Sequence, residues 1–442
     1  MRLSATKLSA INYSSGFGDS LYNAAGQVPS LDLNFATTKS LVDSVTGASL
    51  VTFTRSSSGT FVDSAGVLQT AATDVPRFDH NPTTGESLGL LVEEQRTNSI
   101  RNNTMVGAVA GTPGTLPTNW PFQAGTNGLA VSIVGTGTES GIAYLDWKIS
   151  GTTTALATAD ISFERAAALT GQAWTSSVYV KLVSGSLSAV TTTFIRLVEE
   201  DASTNFVAGS SGSITLPTTA SLGTQRGSFT RTLSGGATTA FVRTNLAVTV
   251  SSGATVDFTL RIGLPQLEQG AFATSPILTS GAAVTRNADV ASITGSAFSG
   301  WYSQSEGTVF ADASGVNNIS GATRRYCEIR DAAGSERLVL GYSATNNNRF
   351  LVVDNIVTVA DISTTSLPTA KTAGAYKLNS FQLASNGTLG TEDGVGTVPT
   401  PDQMQIGSQD GSTANNFLNG HIRRLTYWGQ RLPNNVLQGI TQ

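Results

Sequence analysis

The sequence predicts an all-β chain of tandem β-sandwich (jelly-roll) domains behind an extended N-terminal arm, and three observations predict it. Charged residues make up only 13% of the 442 residues, about half the ~25% of an ordinary globular protein. Long surface helices need Glu, Lys and Arg on their wet face, whereas short strands tolerate Thr and Ser there. The 46 glycines against 13 prolines indicate turns rather than a collagen-like or polyproline rod. Finally, apolar residues recur at every second position. In residues 254–268, Val256, Phe258, Leu260, Ile262 and Leu264 occupy one face, with Asp257, Thr259 and Arg261 on the other, a period of two that no helix shares.

Along the chain, residues 1–30 are polar and without period, and read as an extended N-terminal docking arm, either a floppy terminus or one that orders only when docked on a neighbouring subunit. Residues 31–98 carry short strand signals, LDLNF, LVTFTR, GTFVD and GLLVEE. They form a short β connector, too thin for an independent core. Residues 99–290 hold the clearest strands, among them 142–149, 175–185, 194–200 and 240–248. Their turns fall at sandwich spacing, which predicts a jelly roll. The pattern restarts over 291–442 and predicts a second sandwich. Pro433, followed by Val436, Leu437 and Ile440 at helical spacing, closes it with a short helix.

Composition excludes several functions. A net charge of −4 leaves no broad basic surface for nucleic acid. No run approaches the ~18 apolar residues of a membrane span, and no signal peptide opens the chain, so membrane insertion is not expected. The single cysteine, Cys327, cannot pair within the chain, and the two histidines are too few for a zinc site. His80 and His421 read as a turn residue and a strand residue rather than as members of a relay. No G-x-S-x-G elbow, HExxH or phosphate loop occurs. Paired carboxylates remain the enzymatic candidate, because glycoside hydrolysis needs only two. Glu93-Glu94 and Glu199-Glu200-Asp201 are adjacent, and neighbours on a strand point to opposite faces. The plainer reading has Glu93 and Glu94 bonding to Arg77 or Arg96. The expectation is therefore no enzyme and no cofactor, with Asp146, Asp257 and Glu268 the carboxylates that could contribute to a structural calcium.

Glycan binding uses an aromatic face with polar groups around it. Of the five tryptophans, Trp147, Trp174 and Trp428 sit in strand patterns and read as core. Trp120, in a loop before Pro121, and Trp301-Tyr302, entering the last domain, are the candidate exposed platforms.

Particular stretches carry a resemblance. RFDHNPTTGES (77–87), GLLVEEQRTN (89–98), GLPQLEQGAFATS (263–275), AVTRNADVASI (283–293) and LNGHIRRLTYWGQRLPN (418–434) resemble phage and prophage virion proteins of the tail-fibre, head-fibre or spike type. The middle domain resembles a carbohydrate-binding-module jelly roll, and the C-terminal one a concanavalin A or laminin-G sandwich. The resemblance implies a structural virion appendage, assembled in the host cytoplasm and exposed on the particle. It would be a homotrimer, joined to other virion proteins through the arm and turned towards host surface glycans for adsorption. A polysaccharide-degrading tailspike and a shell-stabilising capsid decoration protein are the alternatives.

Overall fold

The computed structural model describes residues 19–315, 322–365, 369–410 and 416–442. The chain divides into two compact units. One comprises Met1–Thr52, Ala291–Asp410 and Ile422–Gln442; the other comprises Phe53–Val290 and Gly411–His421.

The unit centred on the middle of the chain is a sandwich of two antiparallel five-stranded sheets. The first runs Arg226–Thr232, Ala173–Ser184, Thr255–Gln269, Ile142–Thr152, Leu129–Glu139. The second runs Phe206–Ile214, Val190–Glu200, Phe241–Val250, Ala157–Ala167, Gln123–Gly125. Most connections cross from one sheet to the other, the nested path of a jelly roll. Trp147, Ile149, Phe258 and Leu260 of the first sheet and Ile161, Phe163, Ile195 and Leu246 of the second share one buried core. The expected alternation accounts for this until Leu264, which has a positive φ of 39°. The kink turns Leu264 out of the common core into a separate cluster with Leu68, Ile142, Tyr179 and Leu222, and Leu267 re-enters the core. A local break in strand geometry flips every later side chain to the other face. Two hairpins, Gly59–Val62 with Leu68–Ala71 and Phe78–His80 with Ser87–Val92, and one long-range antiparallel pair, Arg96–Asn98 with Val284–Arg286, belong to the same unit.

The other unit is also built of sheets. Thr388–Leu389, Ser380–Ser385, Thr369–Lys377, Glu306–Gly315 and Gly420–Trp428 follow one another in one sheet, with Leu31–Leu33 paired to the last. Val290–Thr294, Gln403–Ile406, Arg324–Arg330, Arg337–Tyr342, Asn348–Asp354 and Val357–Thr364 form the second. The sheets approach closely at Gly374, where a Cβ would come 2.3 Å from the Phe350 ring. The helix anticipated behind Pro433 spans Asn434–Ile440 and buries Leu437 and Ile440.

The boundaries differ from the sequence expectation. Residues 1–18 of the anticipated arm lie outside the described residues. The rest of it is not extended: Ser20–Ala25 is a helix, capped by Asp19 and packed through Leu21 and Ala25 on Trp428, Leu432 and Leu437. The segment 31–98 is not one connector, because the division at Thr52/Phe53 gives its start to one unit and its remainder to the other. Short strands acquire a domain only through their pairing partners, which lie hundreds of residues away.

Candidate functional site

Charged side chains from four of the five sequence blocks that carry the resemblance converge in the jelly-roll unit. Asp289, fully buried, accepts Nη1 of Arg55 at 3.0 Å, Nη2 of Arg77, and the Glu93 backbone N–H at 2.9 Å. Glu93 receives Arg77 at 2.9 Å and both the backbone N–H and hydroxyl of Ser275, at 2.8 and 2.6 Å. Arg286 lies 3.4 Å from Glu93 and 3.6 Å from Asp289, and donates to the Glu94 carbonyl at 2.8 Å. Glu94 in turn pairs with Arg96 and accepts from Asn419 at 2.9 Å. Glu268 accepts from Gln266 and twice from Thr274, and His421 meets Asp79 at 2.8 Å.

Arg55, Arg77 and Arg286 are each at most 1% exposed. Burying a charge is costly unless it is paired and hydrogen-bonded, and here each is. The assembly ties the Phe53–Asn98 segment to residues 263–290 and works as a clasp. Burial would push the Glu93 carboxyl up, but the Arg286 and Arg77 charges and the Ser275 bonds outweigh it. They hold the carboxyl well below its ordinary value of 4.5. A carboxylate depressed in the folded state adds stability that is present above its unfolded pKa and lost as pH falls through the folded one. Glu93→Gln is accordingly expected to trail the wild type most in urea midpoint above about pH 5. The gap should narrow as the pH is lowered, and midpoints across a pH series measure it.

The carboxylate candidates for catalysis are all engaged. Glu93 and Glu94 pair with Arg77 and Arg96, as the plainer reading expected. Glu199 accepts from the backbone of Ser234 and Gly235 and from Thr239, Glu200 takes Arg243, and Asp201 closes a turn onto Ser203 and Asn205. The three calcium candidates are also taken: Asp146 by Arg261, Asp257 by Lys148, Glu268 by Thr274. Cys327 is buried, and burial pushes its thiol up to about 12.

The aromatic candidates are corrected. Trp120 is 5% exposed, set edge-on to Phe163 at 4.9 Å with its indole N–H on the Arg101 carbonyl. Trp301 is 6% exposed, edge-on to Phe298 and Tyr427, and Tyr302 stacks on Phe298 at 4.7 Å. The two indoles are buried, and Tyr302 is half-buried against Phe298. Trp147, Trp174 and Trp428 are buried, as their strand positions indicated.

What sequence reasoning missed is the outward face of the second jelly-roll sheet. Register places Arg196 opposite Asn245, Val198 opposite Arg243 and Glu200 opposite Phe241, with Ser162 and Asp160 on the next strand. Asn245 donates to Asp160 at 2.7 Å, and Arg243 donates to Asn245 and to Glu200, both at 2.6 Å. Burial pushes the Asp160 carboxyl up, against Asn245, Arg196 and Arg243. Two arginines are held loosely: Arg196 stands 3.5 Å from Asp160 and Arg165 3.4 Å from Glu200, their side chains 38% and 34% exposed. Phenylalanines border the row. Arg243 lies over Phe122, which is still 38% exposed, Arg196 lies over Phe194, and Phe206, 70% exposed, covers Gly209. The signal was present in FIRLVEE and AFVRTNLAV, where Phe194, Arg196 and Glu200, and Phe241, Arg243 and Asn245, recur on alternate positions.

No known protein-family model matches the sequence, and no curated protein matches it. Similar solved structures include the CBM40 module of a Ruminococcus gnavus IT-sialidase bound to α2,6-sialyllactose, at 14% identity and a TM-score of 0.28. The match covers 32% of this chain and 85% of that one. A structure titled for CBM4 structure and function is 14% identical with a TM-score of 0.24, over 39% of this chain and 100% of that one. A NanB sialidase from Streptococcus pneumoniae is 11% identical with a TM-score of 0.28, over 33% and 26%. The sandwich assignment rests on the strand pairing itself and not on these likenesses.

Proposed function

We propose that the protein is a non-catalytic glycan-binding β-sandwich protein whose contact surface is the outward face of the Val190–Glu200 and Phe241–Val250 strands. The observation that carries this is the group of partly exposed side chains Arg196, Arg165, Phe122 and Phe194 beside a pre-bonded row of Asp160, Asn245, Arg243 and Glu200, of which Asn245 and Glu200 are buried. Sugars lay their apolar faces on aromatic rings and exchange hydroxyl hydrogen bonds with fixed polar groups. A row already bonded before the ligand arrives loses little freedom on binding. Arg196 and Arg165, long-bonded and exposed, keep donors for the ligand. Three arginines against two carboxylates leave the face weakly basic, which favours glycans that carry a carboxylate.

The polysaccharide-degrading alternative has less support, because Glu93, Glu94, Glu199 and Glu200 are each taken up by arginine or N–H partners. The sequence resemblance supplies a setting, the surface of a phage particle, where several copies would turn weak sugar contacts into avidity. The test is titration calorimetry with sialylated oligosaccharides. Arg196→Ala and Phe122→Ala are each expected to weaken binding at least about tenfold, the size of a lost anchor contact, at unchanged melting temperature. Unaltered affinity in both variants would refute the assignment of the face.

A further inference from the structure

The clasp uses the charged residues of the GLLVEEQRTN and GLPQLEQG blocks but leaves Gln95 and Gln269 without a side-chain bond. Those residues line one groove of the jelly-roll unit, about 460 Å³ in volume, together with Arg96, Thr97, Trp174 and Gly270. The volume falls within the ~300–1,000 Å³ of small-molecule sites. The Arg96 guanidinium is fixed in place. It stacks on the Phe272 ring at 4.8 Å and pairs with Glu94 at 2.5 Å, with Glu268 3.7 Å from its Nε. Gly270 makes room for it, since a Cβ there would meet the guanidinium at 2.3 Å. Nε of Arg96 is buried yet has no hydrogen-bond partner. Gln95 and Gln269 are exposed, and among the described residues their carboxamides bond to no other side chain.

We propose that this groove is a second saccharide site, separate from the sheet face, and that it takes a neutral sugar. A guanidinium offers parallel donors to a pair of adjacent oxygens, and a carboxamide both donates and accepts. Adjacent hydroxyls of a sugar ring satisfy all three side chains at once. A carboxylate ligand would match the guanidinium geometry equally well, but the charge decides against it. Arg96 is already neutralised by Glu94, and Glu268 adds a second negative charge at the same guanidinium, so an anion would meet like charge. The groove and the sheet face therefore select opposite classes of glycan, neutral and acidic.

The experiment is an array of defined neutral oligosaccharides printed beside their sialylated counterparts, probed with the full chain. The variants are the double substitution Gln95→Ala/Gln269→Ala and, as the comparator, Arg196→Ala. Both glutamines are exposed, so the double variant is expected to melt with the wild type. Neutral members should lose at least tenfold in affinity with the glutamine variant and hold steady with Arg196→Ala. Neutral binding that ignores the glutamines overturns the groove. Loss of neutral and sialylated binding together on Arg196→Ala leaves the sheet face standing alone. An array with no bound member contradicts both sites.

Discussion

Asp289→Ala is expected to destabilise the jelly-roll unit by about 3–5 kcal/mol, the cost of stripping one partner from a buried ion cluster. The size follows from what Asp289 holds. It is fully buried and is the carboxylate to which Arg55 and Arg77 both donate, and it also receives the Glu93 N–H. Without it, the buried Arg77 and Arg286 guanidiniums face Glu93 alone, and the Arg55 guanidinium has no carboxylate left in contact. Urea unfolding followed by fluorescence of Trp120, Trp147 and Trp174, all in this unit, measures the loss. Asp289→Asn keeps the shape and two acceptor sites on one oxygen but removes the charge. It should fall between the wild type and the alanine variant.

Asp32→Ala should act with comparable size, about 3–5 kcal/mol, on the other unit. Asp32 is 1% exposed and accepts from four donors: Nε and Nη2 of Arg424 at 2.7 and 2.9 Å, the Thr426 hydroxyl at 2.8 Å and the Tyr22 hydroxyl at 2.8 Å. These bonds fasten the Leu31–Leu33 strand to Gly420–Trp428. Removal leaves Arg424 with Asp19 as its remaining acidic contact. The loss should appear in the environment of Trp301 and Trp428, and the two substitutions should add, since they sit in different units and share no partner. With two units, unfolding need not be a single transition, so each tryptophan set is followed separately by retaining only its own members.

Much of the architecture was legible because alternation is local. Val178, Val180, Phe258, Leu260 and Ile262 are buried where a period of two places them. Leu264 escaped because one residue with a positive φ reverses the pattern, and nothing in GLPQL marks that reversal apart from Gly263 and Pro265. The clasp was only half legible. Pairing of Glu93 with Arg77 and of Glu94 with Arg96 could be read from short separations, but Asp289 reaches its partners across 196 to 234 residues. No local pattern carries such a contact. A clue existed in composition: where charge is 13% of the chain, a block as crowded as VEEQR is rarely surface filling. The sheet face hid for a different reason. Arg196 and Asn245 stand in strands that alternation reveals, but the Ala157–Ala167 strand that carries Ser162 was not among those expected, and only register shows that the three lie side by side. The tryptophan candidates are not platforms because a position in a loop or at a domain entry does not fix exposure, and Trp120 and Trp301 fold inward onto Phe163 and Phe298.

On the proposed reading an outward sheet face, rather than a carboxylate pair, meets the glycan. Hydrogen–deuterium exchange with and without a saturating sialylated oligosaccharide tests it most directly. The account predicts slowed exchange confined to Val190–Glu200, Phe241–Val250 and the Phe122 turn, with the oligosaccharide recovered intact. Protection centred elsewhere, or recovery of a cleaved sugar, would contradict it.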